Sequence, residues 1–199
     1  AVNDYMISVK GTVGTPISNF ELEGGIFNGN DSGQTSWVSI IYTEYLDGLR
    51  VHDSTLTYSK DYAITRGTGS TNHKAVNCRF SYGLGACYKV DAIECDIEEH
   101  SIGVYFGDVI GGSIKNITHG GCYLDAQNKC IGSKMTPKAS ASITFVNMEY
   151  SSSGTLDGAI VLGNSFDGTG ATVAYGVGVT PNSINITIKN IVIIGNYFK

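Results

Sequence analysis

The sequence predicts an all-β solenoid, and three observations predict it. Of the 199 residues, 26 are Gly and only 16% are charged, and the runs rich in Glu, Lys, Leu and Ala that build helices are absent. Short stretches of alternating apolar and polar residues recur along the chain, each closing on Asn, Asp, Cys or Gly. Their recurrence averages about 24 residues, a period typical of stacked repeats.

Each element follows from that pattern. The strand centres are Leu22, Val51, Val76, Ile93, Ile114, Phe145 and Ile188. The long gap before Ile188 holds a further unit, Ala159 to Phe166, which Ile191 to Phe198 echoes closely. A second set of short strands comprises Met6 to Val9, Ser39 to Tyr42, Tyr62 to Thr65, Ile102 to Tyr105 and Tyr175 to Val179. Alternation along a strand sends each centre to the interior. Two residues later stand Gly24, Asp53, Cys78, Cys95, Asn116, Asn147 and Asn190, small or amide side chains suited to a tight turn, where amides can hydrogen-bond along the stack. A leucine-rich repeat lacks its Leu ladder here. A β-sandwich also has regularly spaced strands, but nothing in it requires residue types to align column by column.

Composition removes other classes. With 13 Lys+Arg against 18 Asp+Glu, net charge −5 and no basic stripe, nucleic acid is not an expected partner. No apolar run approaches the ~18 residues of a membrane helix, and the first residues show no signal-peptide pattern. Five cysteines (78, 87, 95, 122 and 130) leave at least one without an intrachain partner. Cys122 and Cys130 could close a small loop, but small thiols pack well in cores, and buried free cysteines are the favoured expectation.

The aligned columns resemble the right-handed, single-stranded parallel β-helix of the pectate-lyase-like superfamily, as an architecture of about seven or eight coils covering roughly residues 5 to 198. No signature sequence accompanies the resemblance. It implies one β-helix domain over 1–199, a piece of a longer chain, since the repeat is running by Met6 and still running at Phe198. That arrangement is similar to the shaft of a bacteriophage tailspike or appendage protein. Such shafts are homotrimers that bind, and often depolymerise, host surface polysaccharide, which implies a virion or extracellular location. A non-catalytic shaft or adhesin, and a secreted polysaccharide lyase or hydrolase, are the alternatives.

Candidate site residues follow from the outward positions. Glu23, His52, Asn77, Glu94 and Lys115 should form one stripe with steps of about 4.8 Å, flanked by Arg50 and Arg79, along which a polysaccharide could lie. An exposed sheet face with alternating charge is also simply what solubility requires. If Ile93 points inward and the strand stays regular, Glu94 and Asp96 both point outward about 6.5–7 Å apart, approaching the spacing of an inverting glycosidase pair. Glu94 is then the general acid, its pKa raised by Asp96 and Glu98, while Lys115 and Arg79 hold an acidic sugar or assist proton abstraction beside a uronate. Trp37, Tyr42, Tyr45, Tyr58, Tyr82, Tyr88, Tyr105 and Tyr123 offer rings for sugar faces. Tyr58 and Tyr82 occupy comparable places on consecutive coils and can stack on each other. Asn30, Asn116 and Asn185 match glycosylation sequons by pattern, and the turn position of Asn116 argues against its use. Asp53, Asp91, Glu94 and Asp96 could approach a calcium site, but six or more oxygens must converge and basic neighbours oppose it, so no metal or cofactor is expected.

Overall fold

The computed structural model describes residues 5–150, 154–181 and 186–199. Two long parallel sheets carry the chain, one of 8 strands and one of 13, with a two-stranded parallel pair, Gly154–Asp157 and Ile186–Lys189. A single 3-10 turn, Asp31–Gly33, is the one helical element among the described residues. The architecture is all-β and fits a parallel β-solenoid. The sequon at Asn185 lies outside the described residues.

The eight-stranded sheet shows how the repeat works. Its strands are Ile17–Glu23, Leu46–His52, Lys74–Val76, Asp91–Ile93, Val109–Ile110, Lys129–Ile131, Ile160–Leu162 and Val192–Ile194. Each is followed by one residue in the left-handed region: Gly24, Asp53, Asn77, Glu94, Gly111, Gly132, Gly163 and Gly195, all with φ between 50 and 68°. Gly, Asn and Asp tolerate this conformation best, which explains why strand ends are rich in them. The corner turns the chain from one sheet into the other.

Counting back two residues from every corner gives the interior column: Leu22, Val51, Ala75, Ala92, Val109, Cys130, Val161 and Ile193, paired in register. The expected column therefore fails after Val51. Val76 and Ile93 stand one residue before their corners, and a one-residue slip moves a side chain to the opposite face. Ile114 belongs to the other sheet, against Ile97 and Met135, while Phe145 and Ile188 belong to two further strands. Picking the most apolar residue of each segment merged separate strand sets. The echo between Ala159–Phe166 and Ile191–Phe198 is a true neighbour relation, with Ile160 to Leu162 on Val192 to Ile194 and Phe166 on Phe198.

The 13-stranded sheet adds two interior columns. Phe27, Leu56, Phe80, Ile97, Ile114, Met135, Phe166 and Phe198 form one. Ile7, Ile41, Ile64, Cys87, Val104, Cys122, Val146 and Val177 occupy the other. All five cysteines are buried free thiols. The residue after the corner is buried at Ser54, Cys78, Cys95, Ser133 and Asn164, and at this position an amide ladder forms: Asn164 Nδ2 donates to Asn196 Oδ1 at 2.9 Å and to Cys130 O at 2.8 Å, while Ser133 N donates to Asn164 Oδ1. This is one position beyond the left-handed corner and not at the expected Asn116, while Asn147 hydrogen-bonds its register partner Tyr123. Asn190 does bond along the stack, to Asp157 at 2.7 Å.

Corner and post-corner positions differ in tolerance, which yields a test. A Cβ at Gly112, φ +70°, would lie against the Cys95 carbonyl oxygen, whereas one at Gly132, φ +66°, meets nothing within 4 Å. Gly112→Ala should therefore destabilise by about 1–3 kcal/mol, and Gly132→Asn by a few tenths, in denaturant titrations.

Two histidines lie in the interior, His73 at 1% and His100 at 2% exposure. His100 Nδ1–H donates to Glu98 O at 2.7 Å, leaving Nε2 buried without a hydrogen-bond partner. Burial pushes both imidazoles down to about 4, against weaker upward pulls from Thr71 O and Asp47 at His73 and from Glu98 and Glu99 at His100. A base with a lowered folded pKa contributes fully above its unfolded pKa of about 6.5 and loses that contribution as pH falls toward 4. Stability should thus drop between pH 7 and pH 5, and His100→Gln should flatten the drop. Urea midpoints across that window measure it.

Candidate functional site

The outward surface between two corner columns forms a narrow face on the 13-stranded sheet. One border is the corner series Asp53, Asn77 and Glu94; the other is Tyr58, Tyr82, Glu99 and Asn116, with φ of 54 to 56°. Between them Leu56, Phe80, Ile97 and Ile114 are buried, and the alternate residues lie on the outer face: Thr55 and Thr57, Arg79 and Ser81, Asp96 and Glu98, Ser113 and Lys115, of which Ser81 and Ser113 are covered by their neighbours.

Four sequence-derived residues meet here. Arg79 stacks on Asp96 and forms an ion pair with Glu98, and Glu98 pairs in register with Lys115. Ser113 Oγ donates to Asp96 Oδ1. The Glu98 hydrogen bond and charge hold the Arg79 guanidinium above its ordinary pKa. Asp96 begins the strand Asp96–Tyr105 and is exposed. Glu94, also exposed, stands at a left-handed corner with φ 51°, and Ala92 rather than Ile93 points inward. The regular strand assumed for a Glu94–Asp96 pair is thus interrupted between the two carboxylates.

Glu23, Arg50 and His52 form a separate group on the eight-stranded sheet. Glu23 pairs with His52 and Glu21 with Arg50. His52 Nε2 lies 3.0 Å from Glu21 Oε1, and Nδ1 lies 2.9 Å from Asp53 Oδ2. The Asp53 hydrogen bond, with the Glu23 and Glu21 charges, raises the His52 pKa. Asn77 Nδ2 donates to Asp53 Oδ1 at 2.5 Å, so Asn77 serves this group from its corner. The expected single stripe does not exist. Above His52 the outward column continues as Val76, Ile93, Ile110, Ile131, Leu162 and Ile194, while Asn77 and Glu94 sit on corners and Lys115 on the other sheet.

The aromatic residues divide into two arrays. Tyr58 and Tyr82 stack face to face, centroids 4.9 Å apart and planes at 7°, with 43% and 47% exposure. A cleft of about 380 Å³ lined by Asn28, Asn30, Asp31 and Ser32 opens beside Tyr58. The second array is Tyr62, Tyr88, Tyr105 and Tyr123, with stacked centroids 5.7 and 5.0 Å apart along the last three and Lys89 Nζ 5.2 Å over the Tyr88 ring. Burial and the Glu149 carboxylate push the Tyr105 hydroxyl up to about 12.

No family model, curated protein or solved structure matches the chain.

Its chemistry must therefore be read from the surface itself. Trp37, 67% exposed, is the largest isolated ring, whereas Tyr42 is tied up by stacking on Tyr5 and by donating its hydroxyl to Glu44. Sequence reasoning missed the outward aliphatic column, because Val76 and Ile93 were assigned to the core. Spacing counted from the corner residues would have found it.

Proposed function

We propose that this chain is a carbohydrate-active, right-handed parallel β-helix of pectate-lyase-like architecture, seven or eight coils long and similar to a phage tailspike shaft, which binds and depolymerises cell-surface polysaccharide. The observation that carries the reading is the exposed Tyr58–Tyr82 stack bordering the Arg79, Asp96, Glu98 and Lys115 face. Flat rings offer apolar area to sugar faces, and a mixed array of donors and carboxylates offers hydrogen bonds to hydroxyls or acidic sugars. Glu94 and Asp96 are the proposed acid and base. Glu23, Arg50, His52 and Asn77 are proposed to extend the binding surface on the neighbouring sheet. The outward aliphatic column from Val76 to Ile194 supports self-association as a homotrimer, since a contiguous apolar strip on a sheet face gains from being covered.

The test is incubation with bacterial surface polysaccharides and assay of reducing ends, with absorbance of unsaturated uronates separating elimination from hydrolysis. Cleavage abolished by Glu94→Gln with Asp96→Asn supports the site, and cleavage unchanged by the pair refutes it. Sedimentation at micromolar concentration should give three chains per particle; a monomer removes the trimer. One observation favours a non-catalytic shaft or adhesin instead: Asp96 and Glu98 are already engaged by Ser113 and Arg79. Saturable binding without product release would establish that reading.

A further inference from the structure

We propose that Glu23, His52 and Asp53 bind a divalent transition metal of the zinc class on the eight-stranded sheet. The ligand atoms of these three residues lie within 4.8 Å of one another, and they are the one such group among the described residues. Glu23 and His52 are register partners on adjacent parallel strands, and Asp53 is the corner residue that follows His52. The sheet pairing and the left-handed turn thus bring the three together without a long loop. One imidazole and two carboxylates supply nitrogen and oxygen donors with a charge of −2, which a dication neutralises and which suits zinc better than calcium or magnesium, whose sites are built from oxygen alone.

The surroundings have the features of a supported ligand set. His52 Nδ1 is 2.9 Å from Asp53 Oδ2, a hydrogen-bond spacing that must open by about 0.5 Å for both atoms to hold one tetrahedral metal. The ring is enclosed, its side chain 13% exposed, and Nε2 is shut off from solvent with no hydrogen bond of good geometry. The nearest group to Nε2 is the Glu21 carboxylate at 3.0 Å, the position from which an outer carboxylate fixes the tautomer of a metal-bound imidazole. Asn77 holds Asp53 from the far side, and Arg50 Nε, 3.8 Å from Glu21, balances the charge of that outer carboxylate. Water would complete the coordination, because the site opens outward.

Titration calorimetry of the full chain with zinc chloride, with calcium and magnesium chlorides as controls, tests this. One zinc per chain is expected, with His52→Ala abolishing uptake, Glu23→Gln weakening it at least tenfold, and Glu21→Gln weakening it about tenfold with stoichiometry kept. Because Glu23 is exposed, Glu23→Gln keeps the fold and serves if His52→Ala does not. The proposal is overturned if zinc does not bind, if the variants bind it as the parent does, or if calcium and magnesium bind equally well. An absence of zinc uptake leaves the cluster as a contact of His52 with the Asp53 and Glu21 carboxylates alone. The readout is independent of polysaccharide cleavage, so either result stands apart from the function proposed above.

Discussion

Tyr58→Asn combined with Tyr82→Asn should weaken polysaccharide binding tenfold or more while leaving the unfolding midpoint almost unchanged. The first half follows from area. Removing two exposed rings from a sugar contact forfeits more than 1.4 kcal/mol, the equivalent of one decade in affinity. The second half follows from the backbone. Both tyrosines sit at φ 56°, a conformation that costs a bulky L-residue about 1 kcal/mol and that Asn accepts readily. Losing the 4.9 Å stack gives back a similar amount, about 0.5–1.5 kcal/mol. The two aromatics stand side by side at a corner with 43% and 47% exposure. Affinity electrophoresis in polysaccharide gels, run beside thermal melts, separates the two quantities. Unchanged retention of the double variant would remove the tyrosine shelf from the function.

Phe80→Ala should cost about 3–5 kcal/mol in denaturant titrations. Phe80 is fully buried and sits mid-column between Leu56 and Ile97, so neither neighbour can collapse into the space without breaking its own register. Phe198 ends the same column at 54% exposure, and Phe198→Ala should cost under about 1 kcal/mol. A similar loss at both positions would contradict the stacked interior.

Much of this was legible in the sequence because the corners are chemically marked. Gly24, Asp53, Asn77 and the glycines from Gly111 to Gly195 announce left-handed turns, and the echo of Ala159–Phe166 in Ile191–Phe198 is a neighbour relation. The tyrosine stack was legible too, because equivalent places on successive repeats lie one strand spacing apart. What hid the rest was strand length. The strands shrink from seven residues, Ile17–Glu23, to three, Lys74–Val76, and in so short a strand an outward Val is as apolar as the Ala beneath it. Ala75 and Ala92 are inward because the column is narrow there, which hydrophobicity alone does not reveal. At the site, Glu94 and Asp96 were read as one regular strand because a Glu at a left-handed corner carries no sequence mark, and Lys115, outward beside Ile114 as alternation implies, was joined to a stripe that belongs to the other sheet.

The parallel register has a kinetic consequence. Among the described residues the only antiparallel contact is the bridge between Thr12 and Thr15, so no hairpin offers a local seed. Even parallel partners as near in sequence as Ala92 and Val109, or Ala75 and Ala92, enclose a whole circuit of chain before they meet. Every pairing must bear its loop-closure entropy before burial rewards it, which makes nucleation slow and subsequent growth, one strand laid on a finished template, comparatively fast. Refolding should therefore show a lag dominated by the first two stacked layers. Damage to one circuit would halt growth there and leave a bare strand edge able to recruit another chain.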